Sequence, residues 1–192
     1  MRLLKLVIQE PLPQRRLLPL IEEIHGADEA ARRYRALVIT TLRQLRGLAE
    51  TRIRLVVEPD DAAEAVRFWL LPKLADRWQA EAGTYLTDGW EIDFGGEFPQ
   101  ARVEAEGDVR CPFLGARWVH AAMLGLERGT HEIIGPAAGG GVCFRAAAIL
   151  KKEEIETRFL PELPVIQHET HWQEALQSPL GPSLKRAWEE EA

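Results

Sequence analysis

A helical pattern between two short apolar runs most constrains the fold of this chain. Residues Leu3 to Ile8 read LLKLVI, a run typical of a strand buried on both faces. Apolar residues then recur every three or four positions from Ala31 to Leu48, as in an amphipathic helix, and a second apolar run covers Ile53 to Val57. A strand, a helix and a strand in this order predict a right-handed crossover between two parallel strands.

The alternation of strands and helices continues along the chain. We therefore expect one domain over residues 1–192 with an α/β fold: a three-layer, Rossmann-like arrangement with a mainly parallel central sheet and helices on both faces. The turn-rich residues 83–100 predict a loop or an irregular hairpin. The further predicted elements are a helix over Ala62 to Leu71, a strand over Ala101 to Ala105, a helix over Phe113 to Glu127 and a strand over His131 to Pro136.

Polar and proline residues predict where these elements begin and end. Asp28 is placed to cap the first helix, and Asp61 with Glu64 has the spacing of a capping box. Pro72 is expected to end or kink the second helix, and Pro112 suits the first turn of the third. Three further prolines exclude a regular helix or a central strand where they stand: Pro11, Pro13 and Pro19.

Composition excludes several classes of protein. A net charge of −6 argues against a general nucleic-acid binder, which needs a basic face. No apolar run approaches the roughly 20 residues of a membrane span, and the N-terminus lacks the features of a signal peptide. The chain has two cysteines, Cys111 and Cys143, which form no CxxC pair. These observations favour a cytoplasmic protein with reduced thiols.

Three segments directly follow predicted strands, namely EPLPQRR, EGDVRCP and GPAAGGG. The carboxyl ends of parallel strands meet at one edge of a sheet, and ligands bind at that edge. We therefore expect Arg15, Asp108 and Gly140 to line a shared cleft.

In this order the three segments resemble a bacterial family of small glycosyltransferase-like proteins. That family has the GT-A fold of nucleotide-diphospho-sugar transferases and is related in fold to 2-phospho-L-lactate guanylyltransferase. The stretch GADEAARRYRALVITTLRQL also resembles the family's first helix. The similarity covers roughly Leu3 to Ala147, and the part from about residue 148 is poorly matched.

The resemblance implies functional roles for residues in all three segments. Asp108 would be catalytic and would bind Mg²⁺ or Mn²⁺, since carboxylate oxygens suit a hard cation that bridges nucleotide phosphates. Arg15 and Arg16 would bind a nucleotide or nucleotide-sugar substrate. The glycine-rich segment would contribute Gly135, Pro136, Ala137, Gly140 and Gly141 to the same substrate site.

Departures from the family pattern fall on the residues that carry its chemistry. The family's first loop reads Pro-x-Pro-Gly-x-Val-Lys-Thr-Arg-Leu, and its third segment reads Gly-Pro-Ala-x-Asp-Gly-Gly-Tyr-Tyr. The residues at the changed positions are Gln14, Leu17, Leu18 and Pro19 in the first loop, and Gly139, Val142 and Cys143 in the third segment. The glycine segment is therefore interpreted as the relic of a ligand loop, and a flexible turn is the alternative.

The segment HETHW offers a further metal ligand in His168 or His171. The two histidines are three residues apart, so they lie on one side of a helix, and histidine is a common metal ligand. The spacing is not that of the HExxH motif, so zinc-protease chemistry has no support. A surface pair or a helix cap is the other interpretation. Cys111 has no histidine that can be placed near it, which argues against a cysteine nucleophile.

Three functional hypotheses remain open from the sequence. The first is a nucleotide-sugar-dependent glycosyltransferase or nucleotidyltransferase-like protein with a degenerate active site. The second is a non-catalytic descendant of the fold that binds a ligand or a partner, a second copy of the chain being one possible partner. The third is a phosphate-independent enzyme that reuses the pocket. For Asp108 the alternative to a site role is a turn carboxylate or a helix cap, and for Arg15 and Arg16 it is a solvated loop.

Overall fold

A mixed sheet of nine strands lies at the centre of the computed structural model, which describes residues 1–95, 101–149 and 156–191. The strands are β1 (Arg2–Gln9), β2 (Thr51–Glu58), β3 (Gln79–Glu81), β4 (Thr84–Thr87), β5 (Trp90–Asp93), β6 (Val103–Asp108), β7 (Glu132–Pro136), β8 (Val142–Ala148) and β9 (Thr157–Phe159). The helices are α1 (Pro19–His25), α2 (Ala27–Gln44), α3 (Ala63–Leu74), α4 (Ala116–Glu127), α5 (Glu169–Gln177) and α6 (Gly181–Glu189).

The centre of the sheet is parallel, and its strand order is β3-β4-β5-β2-β1-β6-β8-β7-β9. β1 pairs in parallel with β2 on one side and with β6 on the other, with Leu6 opposite both Leu55 and Gly107. β8 is antiparallel to both β6 and β7. The α/β class and the mainly parallel central sheet predicted from the sequence are confirmed.

The two faces of β1 differ in burial. Leu4, Leu6 and Ile8 are fully buried in the apolar core, and Leu4 and Leu6 lie with Leu114, which leads into α4, around Gly107. On the opposite face Val7 is 46% exposed, and Lys5 forms a cross-strand ion pair of 2.9 Å. The expectation that this strand is buried on both faces therefore fails in its second half.

The structure corrects two expectations about where helices begin. Pro19 does not exclude a helix but stands in the first turn of α1, where its missing N–H has no intrahelical partner to lose. Asp28 does not cap α2: Gly26 is the N-cap residue, and Asp28 lies inside the first turn, where its charge favours the helix dipole.

Three other boundaries also differ from the predictions. The capping box of Asp61 and Glu64 is wrong, because the N-cap residue of α3 is Ala62 and makes no side-chain cap bond. Pro72 lies inside α3 and does not end the helix, which runs on to Leu74; a kink there stays a prediction. α4 begins at Ala116 after Gly115 rather than at Phe113, so Pro112 precedes the helix.

The turn-rich residues 83–100 contain the antiparallel strands β4 and β5, which bears out the hairpin alternative, and β3 pairs with β4 from just before this stretch. Residues 96–100 lie outside the described residues. The tryptophan of β5, Trp90, is buried and donates a hydrogen bond to the Leu42 carbonyl at 3.2 Å. The strand therefore packs against the end of α2.

The poorly matched C-terminal part packs on α2, and ion pairs join the two. Arg35 pairs with Glu191 at 2.7 Å, and Arg43 pairs with Glu190 at 2.9 Å. The buried Trp172 of α5 lies against Arg33, whose guanidinium stands 5.0 Å from the ring centroid. Arginine side chains of α2 thus bind residues of α5 and of the segment that follows α6. No described helix is long and apolar enough to cross a membrane.

Candidate functional site

A cavity of about 460 Å³ opens at the carboxyl ends of β1 and β6. After β1 the chain crosses to β2 on one side of the sheet, and after β6 it crosses to β7 on the other side. The cavity therefore lies at the topological switch point of the sheet. We call it the switch-point cavity. Its lining residues are Val7, Gln9, Leu17, Tyr34, Glu106, Gly107, Asp108, Val109, Arg110, Val142, Cys143, Phe144 and Arg145.

Asp108 and Arg110 form an ion pair in this cavity. The Asp108 carboxylate Oδ1 accepts from the Arg110 backbone N–H at 2.8 Å and from its Nε at 3.0 Å. The second oxygen, Oδ2, accepts from Nη2 at 2.7 Å and from Nε at 3.2 Å. This hydrogen bonding raises the pKa of Arg110 above its usual value, and burial opposes the rise only in part. The guanidinium is therefore a permanent, oriented cation.

Three hydrogen bonds fix the backbone around Arg110. The buried Thr41 hydroxyl of α2 donates to the Val109 carbonyl at 2.7 Å. The Arg110 carbonyl accepts from the Ile166 N–H at 2.9 Å, and the Cys111 N–H bonds to the Asp108 carbonyl at 3.0 Å. Arg110 thus stands on a loop that cannot shift without breaking several hydrogen bonds.

Three further polar side chains at or near the cavity are neutral or already paired: Tyr34, Arg145 and Cys111. The Tyr34 hydroxyl accepts from the Gln9 N–H at 3.0 Å, and burial raises the pKa of Tyr34 to about 12. Arg145 pairs with Glu132 through Nε at 2.7 Å. A hydrogen bond to Cys143, together with burial, raises the pKa of the Cys111 thiol, so Cys111 remains protonated and unreactive.

Arg15 and Arg16 line a separate hollow of about 340 Å³ beside the switch-point cavity, and Gln9 lines both. Arg15 approaches Glu10 at 3.8 Å, while Arg16 approaches Glu23 at 3.4 Å with 65% of its side chain exposed. Asp108 and Arg15 therefore lie at neighbouring positions of one sheet edge but in different hollows.

The glycine-rich segment forms the turn of a hairpin between β7 and β8. Gly139, Gly140 and Gly141 have φ values of 88°, 108° and 86°, which side-chain-bearing residues rarely adopt. None of the three lines the switch-point cavity, although the adjoining Val142 does. Gly135 has a packing role, because a Cβ there would meet the Phe144 Cβ at 2.9 Å.

Hydrogen bonds within the protein occupy several N–H groups of this turn. The Ala137 N–H donates to the Gly141 carbonyl at 3.1 Å, and the Gly140 N–H donates to the Ala137 carbonyl at 2.9 Å. The Ala138 N–H donates to the Leu163 carbonyl at 3.0 Å, and the Leu163 N–H returns a bond to Pro136 at 3.0 Å. These four residues of the turn are thus tied to one another and to the segment that follows β9.

His168 and His171 contact each other, with ring centroids 3.4 Å apart. His168 is the N-cap residue of α5, but its side chain makes no cap hydrogen bond. Glu169 lies between the two histidines in sequence and bonds to His25 at 2.8 Å and to Arg33. Neither histidine lines the switch-point cavity.

The residues around Asp108 do not fit a divalent cation. Both carboxylate oxygens already accept from Arg110, and a cation bound there would lie against the guanidinium. Among the described residues no cluster of three or more His, Cys, Asp or Glu side chains could hold a metal. Asp108 and the histidine pair therefore do not meet at a common metal centre.

Arg110 is the site residue that sequence reasoning missed. The signal was present in the spacing: an Asp at the end of a strand, two residues before an Arg, allows the carboxylate to bond to the backbone N–H of the second residue in an Asx turn. From the sequence, Tyr34 was interpreted only as part of the apolar stripe of the helix. Its hydroxyl reaches the site only because α2 packs beside the end of β1.

Comparisons with known proteins agree with this geometry at the level of the fold. No protein-family model matches the chain, and no curated protein matches it significantly. Among solved structures it is similar to a Desulfovibrio desulfuricans protein assigned as a nucleotide-diphospho-sugar transferase, with 15% identity, a TM-score of 0.63 and coverage of 99% of this chain and 97% of that one.

A second similar structure is the 4-diphosphocytidyl-2C-methyl-D-erythritol synthase of Anaerococcus prevotii, with 12% identity and a TM-score of 0.53. The match covers 96% of this chain and 96% of the synthase. The chain thus has the nucleotide-diphospho-sugar transferase fold, as the order of its three strand-end segments predicted.

Proposed function

We propose that this chain is a divergent nucleotide-sugar-dependent glycosyltransferase or nucleotidyltransferase-like protein that binds a nucleotide or nucleotide-sugar in the switch-point cavity. The observation that carries the proposal is the position of the Asp108–Arg110 pair at the switch point of a sheet with the transferase fold. Open α/β sheets bind their ligands at this point.

The walls of the cavity suit a ligand with apolar and anionic parts. Val7 and Val142 offer exposed apolar surface to a sugar or base, and Arg110 offers a cation to phosphate. The neighbouring hollow with Arg15 and Arg16 extends the basic surface along the sheet edge. In this proposal catalysis depends on positioning and charge stabilisation, with Asp108 holding Arg110 in place.

The proposed active site is degenerate by comparison with the family that the sequence resembles. The loop after β1 carries Leu17 and Leu18 where that family has Lys and Thr, and both leucines are buried in the core. The glycine turn carries Gly139 where the family has Asp. In this site a phosphate therefore has fewer fixed donors and charges than the family pattern provides.

The second candidate function is a non-catalytic descendant that binds a ligand or partner. The Asp108–Arg110 pair favours it, because a carboxylate that already bonds to a guanidinium through both oxygens is a poor general base or metal ligand. Bound nucleotide without turnover is the behaviour expected of such a protein.

One pair of measurements separates the two functions. Thermal unfolding is followed with a panel of nucleotides and nucleotide-sugars, since a ligand that binds the native state raises the melting temperature. Release of nucleoside diphosphate from stabilising sugar nucleotides, and of pyrophosphate from stabilising nucleoside triphosphates, is then measured over hours. Stabilisation with release supports a transferase, and stabilisation without release in the presence of varied acceptors supports the non-catalytic descendant. No stabilisation by any compound would contradict the transferase and the nucleotide-binding form of the descendant, and would favour a descendant that binds a partner.

A further inference from the structure

We propose that the Arg110 guanidinium takes the place of a divalent cation in the switch-point cavity, so that a phosphorylated ligand binds there without Mg²⁺ or Mn²⁺. The proposal rests on the nucleotide-binding function proposed above and adds the nature of the charge that binds the phosphate. The Asp108 carboxylate is then a positioning group for Arg110 rather than a metal ligand.

The first step of the argument concerns the carboxylate. Oδ1 and Oδ2 of Asp108 together accept four hydrogen bonds from Arg110, between 2.7 and 3.2 Å long. A divalent cation would have to displace the guanidinium from at least one oxygen. It would also stand beside a positive group whose backbone is held by Thr41 and Ile166 from either side. Like-charge repulsion and lost hydrogen bonds both oppose this arrangement.

The second step concerns the other groups that a cation would need. Glu106 is the only other carboxylate among the residues that line this cavity in the described part of the chain. On the sheet it stands in register between Lys5 of β1 and Arg145 of β8. Mg²⁺ and Mn²⁺ favour several oxygen ligands, and one carboxylate flanked by two basic residues does not provide them.

The third step concerns the donors that remain on the guanidinium. Arginine has five N–H groups in a planar fork. Asp108 takes those of Nε and one of Nη2, and Nη1 has no hydrogen-bond partner among the described residues. Arg110 lines the cavity with 37% of its side chain exposed. Planar, paired donors match two oxygens of one phosphate group, and the guanidinium supplies positive charge that a bound cation would otherwise supply.

The experiment measures binding of uridine diphosphate, guanosine diphosphate and inorganic pyrophosphate by calorimetry, once with excess EDTA and once with saturating Mg²⁺ or Mn²⁺. We expect the affinity for the probe that binds to agree within about twofold between the two conditions. Arg110→Gln should weaken binding in EDTA about 10- to 100-fold, the loss that removal of a charge-assisted hydrogen bond produces. Arg110→Lys should recover only part of the affinity, because it lacks the planar fork.

Arg158→Gln is the matched control. Arg158 also pairs with an acid two residues before it, Glu156, at 2.7 Å, but it lies on β9 and does not line the cavity. Its substitution should leave binding unchanged. Asp108→Asn should weaken binding in EDTA less than Arg110→Gln does, and it should remain insensitive to metal. Thermal unfolding of each variant without ligand separates loss of binding from loss of folding.

Three outcomes overturn the proposal in different ways. Binding that appears only with Mg²⁺ or Mn²⁺ and is lost in Asp108→Asn would assign the site to a metal and leave the proposed nucleotide-binding function intact. Metal-independent binding that Arg110→Gln does not weaken would place the phosphate elsewhere. Failure of all three probes to bind under either condition would overturn the nucleotide-binding function together with this inference.

Discussion

The three glycines between β7 and β8 show how one sequence pattern can serve two different purposes. A run of glycines allows a ligand to approach the backbone, and it also allows the left-handed conformations of a tight turn. Here Gly139 to Gly141 all have positive φ, and a Cβ on any of them would meet open space. Conformation rather than close contact therefore requires glycine at these positions.

Gly140→Ala should destabilise the protein by about 1 kcal/mol, because an alanine at φ 108° is strained. Nucleotide binding should remain unchanged, since Gly140 does not line the cavity. Gly83→Ala is the control: Gly83 has φ 80° in another turn, with equally open surroundings. Urea unfolding measures stability and calorimetry measures binding. A loss of affinity confined to Gly140→Ala would contradict this interpretation and favour a ligand loop.

Single residues were predictable from the sequence where a strand ends, and not where the fold brings distant residues together. Asp108 was found because it follows a strand. The pairing of Arg110 with the Asp108 carboxylate depends on a turn that Thr41 and Ile166 hold. Thr41 lies 68 residues from its partner Val109, and Ile166 lies 56 residues from its partner Arg110. The Tyr34 hydroxyl likewise reaches the end of β1 only after α2 has packed on the sheet.

At the scale of elements, Glu169 connects the start of α5 to helices α1 and α2. Its carboxylate accepts from His25 at the end of α1 and from Arg33 of α2. Burial acts to raise the pKa of Glu169, but hydrogen bonds from Gln173, Arg33 and His25 outweigh it, and the pKa is lowered. The ionised carboxylate therefore stabilises the packing of α5.

Glu169→Gln should reduce the free energy of unfolding by about 1 to 2 kcal/mol near neutral pH, the usual range for a hydrogen bond to a charged group that is partly screened. Because the folded-state pKa is below the unfolded value of 4.5, this contribution is present above pH 4.5 and is lost as pH falls through the folded pKa. The wild-type and variant curves of stability against pH should therefore converge on acidification.

Glu189→Gln is the control for this pH dependence. Glu189 is 61% exposed and lies 3.9 Å from Lys185, so its substitution should have almost no effect at any pH. Urea unfolding at several pH values gives the curves. A constant difference between wild type and Glu169→Gln down to the lowest pH would show that a neutral contact, and not the charge, accounts for the effect.

Elements with a strong pattern were predicted, and elements set by distant contacts were not. The apolar run of β1 and the stripe of α2 fixed the parallel centre, because both patterns arise from local burial. β8 was missed: its sequence VCFRAAA alternates poorly, and its place between β6 and β7 follows from pairing with both. Helix α6 was missed, and α5 was expected only as the helix that carries the HETHW histidines. The packing of both helices depends on arginines of α2 rather than on caps of their own.

At the scale of the whole molecule, one apolar core runs through the described parts of the chain. The same cluster contains Leu4 of β1, Leu37 of α2, Met123 of α4 and Ala187 of α6. Trp172 of α5, among the largest fully buried side chains, belongs to it as well. A shared core predicts that the C-terminal helices fold together with the sheet.

Thermal unfolding should therefore occur in one cooperative transition, with coincident curves from far-ultraviolet circular dichroism and tryptophan fluorescence. A chain that ends at Ala148 should lose this transition, because it lacks the apolar side chains that α5 and α6 place against α2. Two separate transitions in the full chain, or a cooperative transition in the shortened one, would show that the C-terminal part forms an independent unit.

The position of β1 has a consequence for the nascent chain. Of the described strands β1 is synthesised first, yet it lies at the centre of the sheet, with Leu6 opposite Gly107 of β6. One edge of this apolar strand therefore stays unpaired until Val103–Asp108 has been synthesised. An open, apolar strand edge is a template for pairing with other chains. Chaperones that shield extended apolar segments should accordingly engage the growing chain at LLKLVI, and release it once β6 has emerged.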